Sequence, residues 1–314
     1  KNAVYPITID PISISYDQKI TGPKSGNFGI SVSNAGDVNN DGKKDVLVGA
    51  YTYDNGNTDE GMAFIYRGTS NGLSTSASWS GESNSTDAYY GSSVSTAGDV
   101  NNDGISDVVI GAKHYDNSSN SLPEDGRVYI YMGSNTGVNN TPNGILDKAQ
   151  AYAHFGTSVS AAGDVDGDNY DDVIVGAPDY DNGHSNEGMV FLYSGSSSGI
   201  STSSAWQAES NQDDASMGKS VSNAGDVNSD NYDDVVIGAP QYDNNAVNDG
   251  MIYVYYGSGT GLSSSPSWTF GSGNSGSAFG SSVSYAGDVN GDGEDDIIAG
   301  AKSYENGESF EGAA

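Results

Sequence analysis

Residues 28–50 read FGISVSNAGDVNNDGKKDVLVGA, and the same pattern returns four more times along the chain. It recurs at Tyr90 (YGSSVSTAGDVNNDGISDVVIGA), Phe155 (FGTSVSAAGDVDGDNYDDVIVGAP), Met217 (MGKSVSNAGDVNSDNYDDVVIGAP) and Phe279 (FGSSVSYAGDVNGDGEDDIIAGA). The first aspartates of the acidic runs, Asp37, Asp99, Asp164, Asp226 and Asp288, are spaced by 62, 65, 62 and 62 residues. A fixed period of this length marks a repeat architecture, in which one supersecondary unit stacks on the next.

Inside a repeat the periodicity is that of strands. Ser31-Val32-Ser33 alternates small polar and apolar residues, as a half-buried strand does, while Val46-Leu47-Val48 and Val108-Val109-Ile110 are continuous apolar runs suited to strands buried on both faces. A Tyr-Asp-Asn-Gly turn follows (residues 53–56 and 180–183), then a third strand such as 62–66 or 251–256. A glycine-rich hairpin (68–72, 257–261) leads to a fourth strand carrying Trp79, Trp206 or Trp268. Four short strands without an amphipathic helix predict one antiparallel sheet per repeat. Such a sheet buries both faces only by stacking on its neighbours, so the expected fold is all-β: a β-propeller of four-stranded antiparallel blades with five repeats visible. A β-solenoid is the competing architecture, although its coils are usually much shorter. Gly-Ala pairs ending the second strands, from Gly49-Ala50 to Gly300-Ala301, predict close backbone approach there.

The acidic loops align position by position. Asp37, Asn39, Asp41, Lys43 and Asp45 occupy positions 1, 3, 5, 7 and 9 of the first. The others are Asp99, Asn101, Asp103, Ile105, Asp107; Asp164, Asp166, Asp168, Tyr170, Asp172; Asp226, Asn228, Asp230, Tyr232, Asp234; and Asp288, Asn290, Asp292, Glu294, Asp296. Oxygen-bearing side chains fill positions 1, 3, 5 and 9 throughout, and position 7 varies as expected where only a backbone carbonyl is used. A hard cation taking six to eight oxygens needs this arrangement. Position 6 is Gly42, Gly104, Asn169, Asn231 or Gly293, the residue types that tolerate the positive φ of a sharp turn. Carboxylates crowded this closely repel by about 1–4 kcal/mol per pair at a surface-like dielectric, which a divalent ion relieves. The expected ion is Ca²⁺, up to five per chain. Mg²⁺ favours fewer protein ligands, and Zn²⁺ is disfavoured without cysteine or clustered histidine.

These residues resemble the FG-GAP repeats of integrin α-subunit propellers and their bacterial and archaeal relatives. Phe-Gly corresponds to Phe28-Gly29, Tyr90-Gly91, Phe155-Gly156, Met217-Gly218 and Phe279-Gly280. Gly-Ala-Pro is complete at Gly176-Ala177-Pro178 and Gly238-Ala239-Pro240; elsewhere Tyr51, Lys113 or Lys302 replaces the proline. The resemblance implies calcium loops on one face of a propeller and partners on the opposite face or on side loops. It covers roughly residues 27–314 and departs in blade number, since the family usually builds seven. The expected organisation is a single propeller domain over 1–314, with repeats at about 28–89, 90–154, 155–216, 217–278 and 279–314. The fifth repeat breaks off early in its third strand. Tyr16 precedes Phe28 by 12 residues, much as each tryptophan precedes its Phe-Gly position by 11, so residues 16–20 read as a fourth strand and 4–9 as a third. Residues 1–27 would then complete the last blade of a five-bladed ring; a fragment of a seven-bladed ring is the other reading.

Composition narrows the function. Lys plus Arg number 11 against 42 Asp plus Glu, a net charge of −31, and a surface this acidic repels nucleic acid and anionic lipid. There is no cysteine, hence no disulfide and no thiol chemistry, and no apolar run long enough to span a bilayer. Gly68 to Gly72 and Gly195 to Gly199 match a G-x-S-x-G elbow, yet both fall in the same hairpin of different repeats with no helix after them, which is turn chemistry. His114, His154 and His184 lie at no metal-ligand or triad spacing, so surface or packing roles are expected. The sequons at Asn84, Asn117 and Asn139 mildly favour a secreted, glycosylated surface. The expectation is an extracellular or cell-surface adhesion or scaffold module, not an enzyme, binding a protein or glycan ligand on the cell surface or in the matrix. Self-assembly through exposed edge strands is open to it. The alternatives are a carbohydrate-binding lectin and a non-catalytic accessory domain of a secreted hydrolase.

Overall fold

The computed structural model describes residues 19–23, 26–117, 122–308 and 311–314, and every regular element among them is a β-strand. The first blade is built from Val32–Gly36, Asp45–Ala50, Met62–Tyr66 and Trp79–Glu82, antiparallel and paired in chain order. Blades two to four repeat it: Tyr90–Gly98, Asp107–Ala112, Arg127–Tyr131, Gly144–Asp147; Ser158–Gly163, Asp172–Ala177, Met189–Tyr193, Trp206–Glu209; and Ser220–Gly225, Asp234–Ala239, Met251–Tyr255, Trp268–Gly271. The fifth sheet pairs Phe279–Gly287 with Asp296–Ala301, and a single bridge from Ala301 to Ala313 begins its third strand. The strand reading of residues 4–9 and 16–18 lies outside the described residues; Lys19 and Ile20 belong to no strand.

Stacking follows from small residues on the innermost strands. Ser31 Oγ donates to the Gly91 carbonyl of the next blade at 2.7 Å, and Ser93, Ser158 and Ser220 repeat the bond to Gly156, Gly218 and Gly280 at 2.7–2.8 Å. The alternating serines are thus inter-blade donors. Their acceptors approach the Gly-Ala pairs so closely that a Cβ on Gly176 would meet the Gly218 carbonyl oxygen at 2.0 Å. Residues of all five innermost strands, among them Val32, Val94, Val159, Val221 and Val283, line one central opening of about 490 Å³. This is the expected propeller, and the five blades share an axis.

The apolar core lies between blades. Val109, Val128 and Ile130 of the second sheet pack on Val173, Val175 and Phe191 of the third. At the outer rim Trp79 and Trp206 reach across to the next blade. Trp79 packs edge-on against Tyr131 and donates its indole N–H to the Asn139 carbonyl; Trp206 does the same with Tyr255 and Ser263. The expected inter-blade role of the aromatics therefore holds. Among the described residues the fifth sheet has only two full strands, and Trp268 is 47 % exposed against 7 % for Trp79. Trp79→Ala should cost about 3–5 kcal/mol in a denaturant titration, and Trp268→Ala less than half as much. Equal losses would contradict rim packing as the source of inter-blade stability.

Candidate functional site

Each acidic loop joins the first and second strands of its blade, so all five emerge at one end of the sheets. The entry is a bulge. Pairing slips by one residue at Asn34/Gly36, Thr96/Gly98, Ala161/Gly163, Asn223/Gly225 and Tyr285/Gly287, immediately before the position-1 aspartate. A bulge of this kind bends the strand and re-aims the next side chain. Position 6 has φ of 81°, 83°, 71°, 71° and 93° at Gly42, Gly104, Asn169, Asn231 and Gly293, the left-handed turn that glycine and asparagine were read to permit.

The loops close on their own carboxylates. Asp99 accepts from the Asp103 and Gly104 N–H groups at 3.0 and 2.7 Å, and Asp164 accepts from Gly167, Asp168 and Asn169 at 2.7–3.0 Å. The N–H of position 7 donates to the position-5 aspartate at 3.0 Å in all five, from Lys43, Ile105, Tyr170, Tyr232 and Glu294. Positions 1, 3 and 5 are thereby turned toward one point. In the third loop the carboxylates of Asp164, Asp166 and Asp168 all lie within 4.8 Å of one another. The other four loops have asparagine at position 3; in Asn39, Asn101 and Asn228 its Oδ1 accepts the position-5 N–H at 3.0–3.1 Å, as the Asp166 carboxylate does at 3.2 Å.

Position 9 is the buried floor. Asp107 accepts from Val100 of its own loop at 3.0 Å and from Gly133, past the third strand, at 2.8 Å. Asp45, Asp172 and Asp234 make the same two bonds, and all four are essentially buried. Among the described residues Asp296 keeps the first type of bond, to Val289 at 2.9 Å, and not the second. Burial, reinforced by the neighbouring loop carboxylates, pushes Asp107, Asp172 and Asp234 up to about 7. Burial also raises Asp166, followed by the charge of Asp168. For Asp37 burial acts in the same direction, but backbone N–H donors led by Gly42 hold it below its usual value. Among the described residues Lys43, 3.6 Å from Asp41, is the one basic side chain paired with a loop carboxylate. An oxygen-only donor set with this much uncompensated negative charge fits a hard divalent cation.

Position 8 carries a contact that the repeat pattern did not reveal. The Asp171 carboxylate accepts the Asp99 N–H of the preceding blade at 2.6 Å, and Asp233 and Asp295 take the Asp164 and Asp226 N–H at 2.9 and 3.0 Å. The backbone N–H groups of these three residues donate in return to the carbonyls of the same three partners at 3.2 Å. Ser106 makes only the backbone bond, to Asp37 at 3.1 Å. The first four loops are therefore each tied at their first ligand position to the loop that follows, three of them through a carboxylate. Asp233→Ala should leave the Asp164 N–H without its charged acceptor and cost about 1.5–3 kcal/mol by denaturant titration. A change under about 0.5 kcal/mol would show that the clamp adds nothing.

The histidines fare differently from the sequence reading. His114 and His154 meet with ring centroids 4.9 Å apart, beside Glu124, whereas His184 stands apart against Asp213. The G-x-S-x-G segments are hairpin turns as expected: Gly68–Thr69 pairs with Gly72–Leu73, and Ser196 Oγ closes onto the Gly199 carbonyl at 2.7 Å. Also unforeseen was a buried acid opening each third strand, Glu60, Asp125, Glu187 and Asp249, which accepts an N–H from the preceding Tyr-Asp-Asn turn.

Comparison with known proteins agrees with this architecture. The FG-GAP repeat model matches residues 90–131, 155–193, 217–255 and 279–310, and the FG-GAP-like repeat model matches 37–110, together more than half of the chain. Integrin alpha-5 of Xenopus laevis is 33% identical over 218 residues, covering 68% of this chain and 20% of that protein. Integrin alpha-V of Gallus gallus is 32% identical over 240 residues, covering 71% and 21% respectively. The chain thus spans about a fifth of the length of these curated relatives. Among solved structures, Saccharomyces cerevisiae Sqt1 superposes with a TM-score of 0.56 at 13% identity over 92% of this chain and 60% of that one, a likeness of fold. With the repeats, the blades and the loops in agreement, the chain is a member of the FG-GAP repeat β-propeller family, with repeats like those of integrin α-subunits.

Proposed function

We propose that this chain is a calcium-stabilised extracellular or cell-surface module for adhesion or scaffolding, which binds a protein or glycan ligand and does not catalyse. The observation that carries the reading is the set of five acidic loops at one end of the blades, three of them clamped through an aspartate to the preceding loop. Positions 1, 3, 5 and 9 would supply side-chain oxygens, with the carbonyls of Lys43, Ile105, Tyr170, Tyr232 and Glu294 at position 7, for up to five Ca²⁺ ions. The ions would offset the loop charge and stiffen each hairpin, leaving the opposite end of the blades free for a partner. Similarity to integrin α-subunits supports an adhesion role and an extracellular location. No helix of the described residues is long and apolar enough to cross a membrane. The enrolment of Trp79 and Trp206 in blade packing leaves them unavailable as sugar platforms, which weighs against the lectin alternative.

Extracellular modules of this type bind Ca²⁺ with dissociation constants of about 10⁻⁴–10⁻³ M. At about ten times the dissociation constant each filled site adds about 1.4 kcal/mol, and five add about 7 kcal/mol. Excess chelator should therefore lower the melting temperature by at least about 10 °C, and Asp164→Ala should reduce the calcium count by one. An unchanged melt in chelator would remove the metal from the account. A panel of hydrolase substrates should show no turnover by this chain; sustained turnover would reassign it as an enzyme.

A further inference from the structure

At the end of the blades opposite the acidic loops, three positions of each repeat can be compared, and in the second repeat all three come together. They are the residue two past the Gly-Ala pair, the residue before the buried acid of the third strand, and the residue before the next Phe-Gly. The last two are held in left-handed backbone at Asp59 and Tyr89, Glu124 and His154, Asn186 and Ser216, and Asn248 and Ala278. Each pair is joined by a backbone hydrogen bond of 3.1–3.2 Å. The repeat thus builds the same small platform several times, and the side chains on it vary freely. Only between blades two and three do all three positions carry metal-ligating groups: His114, Glu124 and His154.

We propose that this junction is a zinc-binding site, with Nδ1 of His114, the carboxylate of Glu124 and Nε2 of His154 as ligands. One ligand atom from each of the three residues lies within 4.8 Å of those of the other two. Oε2 of Glu124 is 2.9 Å from Nε2 of His154 and 3.7 Å from Nδ1 of His114. Ligands at about 2.0–2.1 Å from one tetrahedral zinc are about 3.3–3.4 Å apart, a spacing that the two Glu124 distances bracket. Two imidazoles and one carboxylate are a recurrent zinc donor set that leaves the fourth position to solvent.

The surroundings support these roles. Nδ1 of His154 is 2.6 Å from the Asp179 carboxylate, the outer partner that fixes a ligating imidazole with its other nitrogen free for metal. Tyr89 stacks on the His114 ring at 4.4 Å and 19°, holding its plane. Glu124 is fixed through its backbone, where its N–H donates to Asp116 at 2.6 Å. The two imidazoles are about three-quarters buried, whereas Glu124 is 39 % exposed and free to pivot. Hydrogen bonding to Asp179 and Glu124 favours a charged His154 in the metal-free state, so a proton is the competitor for the same place.

The test is titration of Zn²⁺ by calorimetry into the full chain saturated with Ca²⁺, so that the acidic loops are already filled. One zinc per chain is expected. His114→Gln and His154→Gln should each weaken it at least about 100-fold, Asp179→Asn about 10–100-fold, and His184→Gln not at all. Melting of each variant in calcium without zinc verifies folding. Independently of any variant, Co²⁺ bound to the unaltered protein should give the strong visible bands of four-coordinate geometry. No saturable zinc binding, zinc binding indifferent to both histidine substitutions in folded variants, or only the weak bands of six-coordinate cobalt would overturn the proposal. Because the loops stay filled with calcium throughout, its failure leaves the calcium reading untouched.

Discussion

The constraint on which the structure turns is the placement of adjacent aspartates at the end of the last three acidic loops. In Asp171-Asp172 and Asp233-Asp234 the second residue is buried and ties its loop to the hairpin beyond the third strand of the same blade. The first reaches back and clamps the preceding loop. One dipeptide thus fixes the loop within its sheet and fixes the sheet to its neighbour. Burying such carboxylates costs free energy unless they are hydrogen-bonded and their charge is countered. The backbone donors supply the hydrogen bonds, and a cation at positions 1, 3, 5, 7 and 9 would supply the countercharge. Fold and ion binding are on this account the same problem, and the strongly acidic composition follows from it.

Packing between blades is otherwise modest in chemistry and repetitive in form: serine hydroxyls on glycine carbonyls near the axis, aliphatic residues in the middle, one tryptophan on one tyrosine at the rim. A repeat protein of this kind derives its stability from nearest-neighbour interfaces. Loosening one loop acts on two blades, because the clamp crosses the interface. Calcium in the loops would therefore bear on the opposite end of the blades through rigid sheets.

Much of this was legible in the sequence because it is local. Strand order and the left-handed residue at position 6 each depend on neighbours a few residues away, and Asn169 and Asn231 stand where Gly42 stands for a stated steric reason. What escaped the reading joins distant residues. The partner of Asp233 is 69 residues away, and position 8 is Lys44 or Ser106 in the first two repeats, so alignment alone presents it as variable. The Asp-Asp pairs of the last three repeats were the available signal. His114 and His154 are 40 residues apart and meet at a blade junction, where the left-handed His154 bonds the equally left-handed Glu124 through the backbone. The buried acids Glu60, Asp125, Glu187 and Asp249 recur at the repeat period and could have been found by it.

The central claim is that divalent ions occupy the acidic loops and lock the position-9 aspartates in place. A crystal structure determined from calcium-containing solution, with anomalous differences collected at a long wavelength, tests it most directly. The account requires anomalous peaks inside the loops, each ringed by side-chain oxygens of positions 1, 3, 5 and 9 and a position-7 carbonyl at about 2.3–2.6 Å. Loops without peaks, their aspartates turned out into solvent, would contradict it.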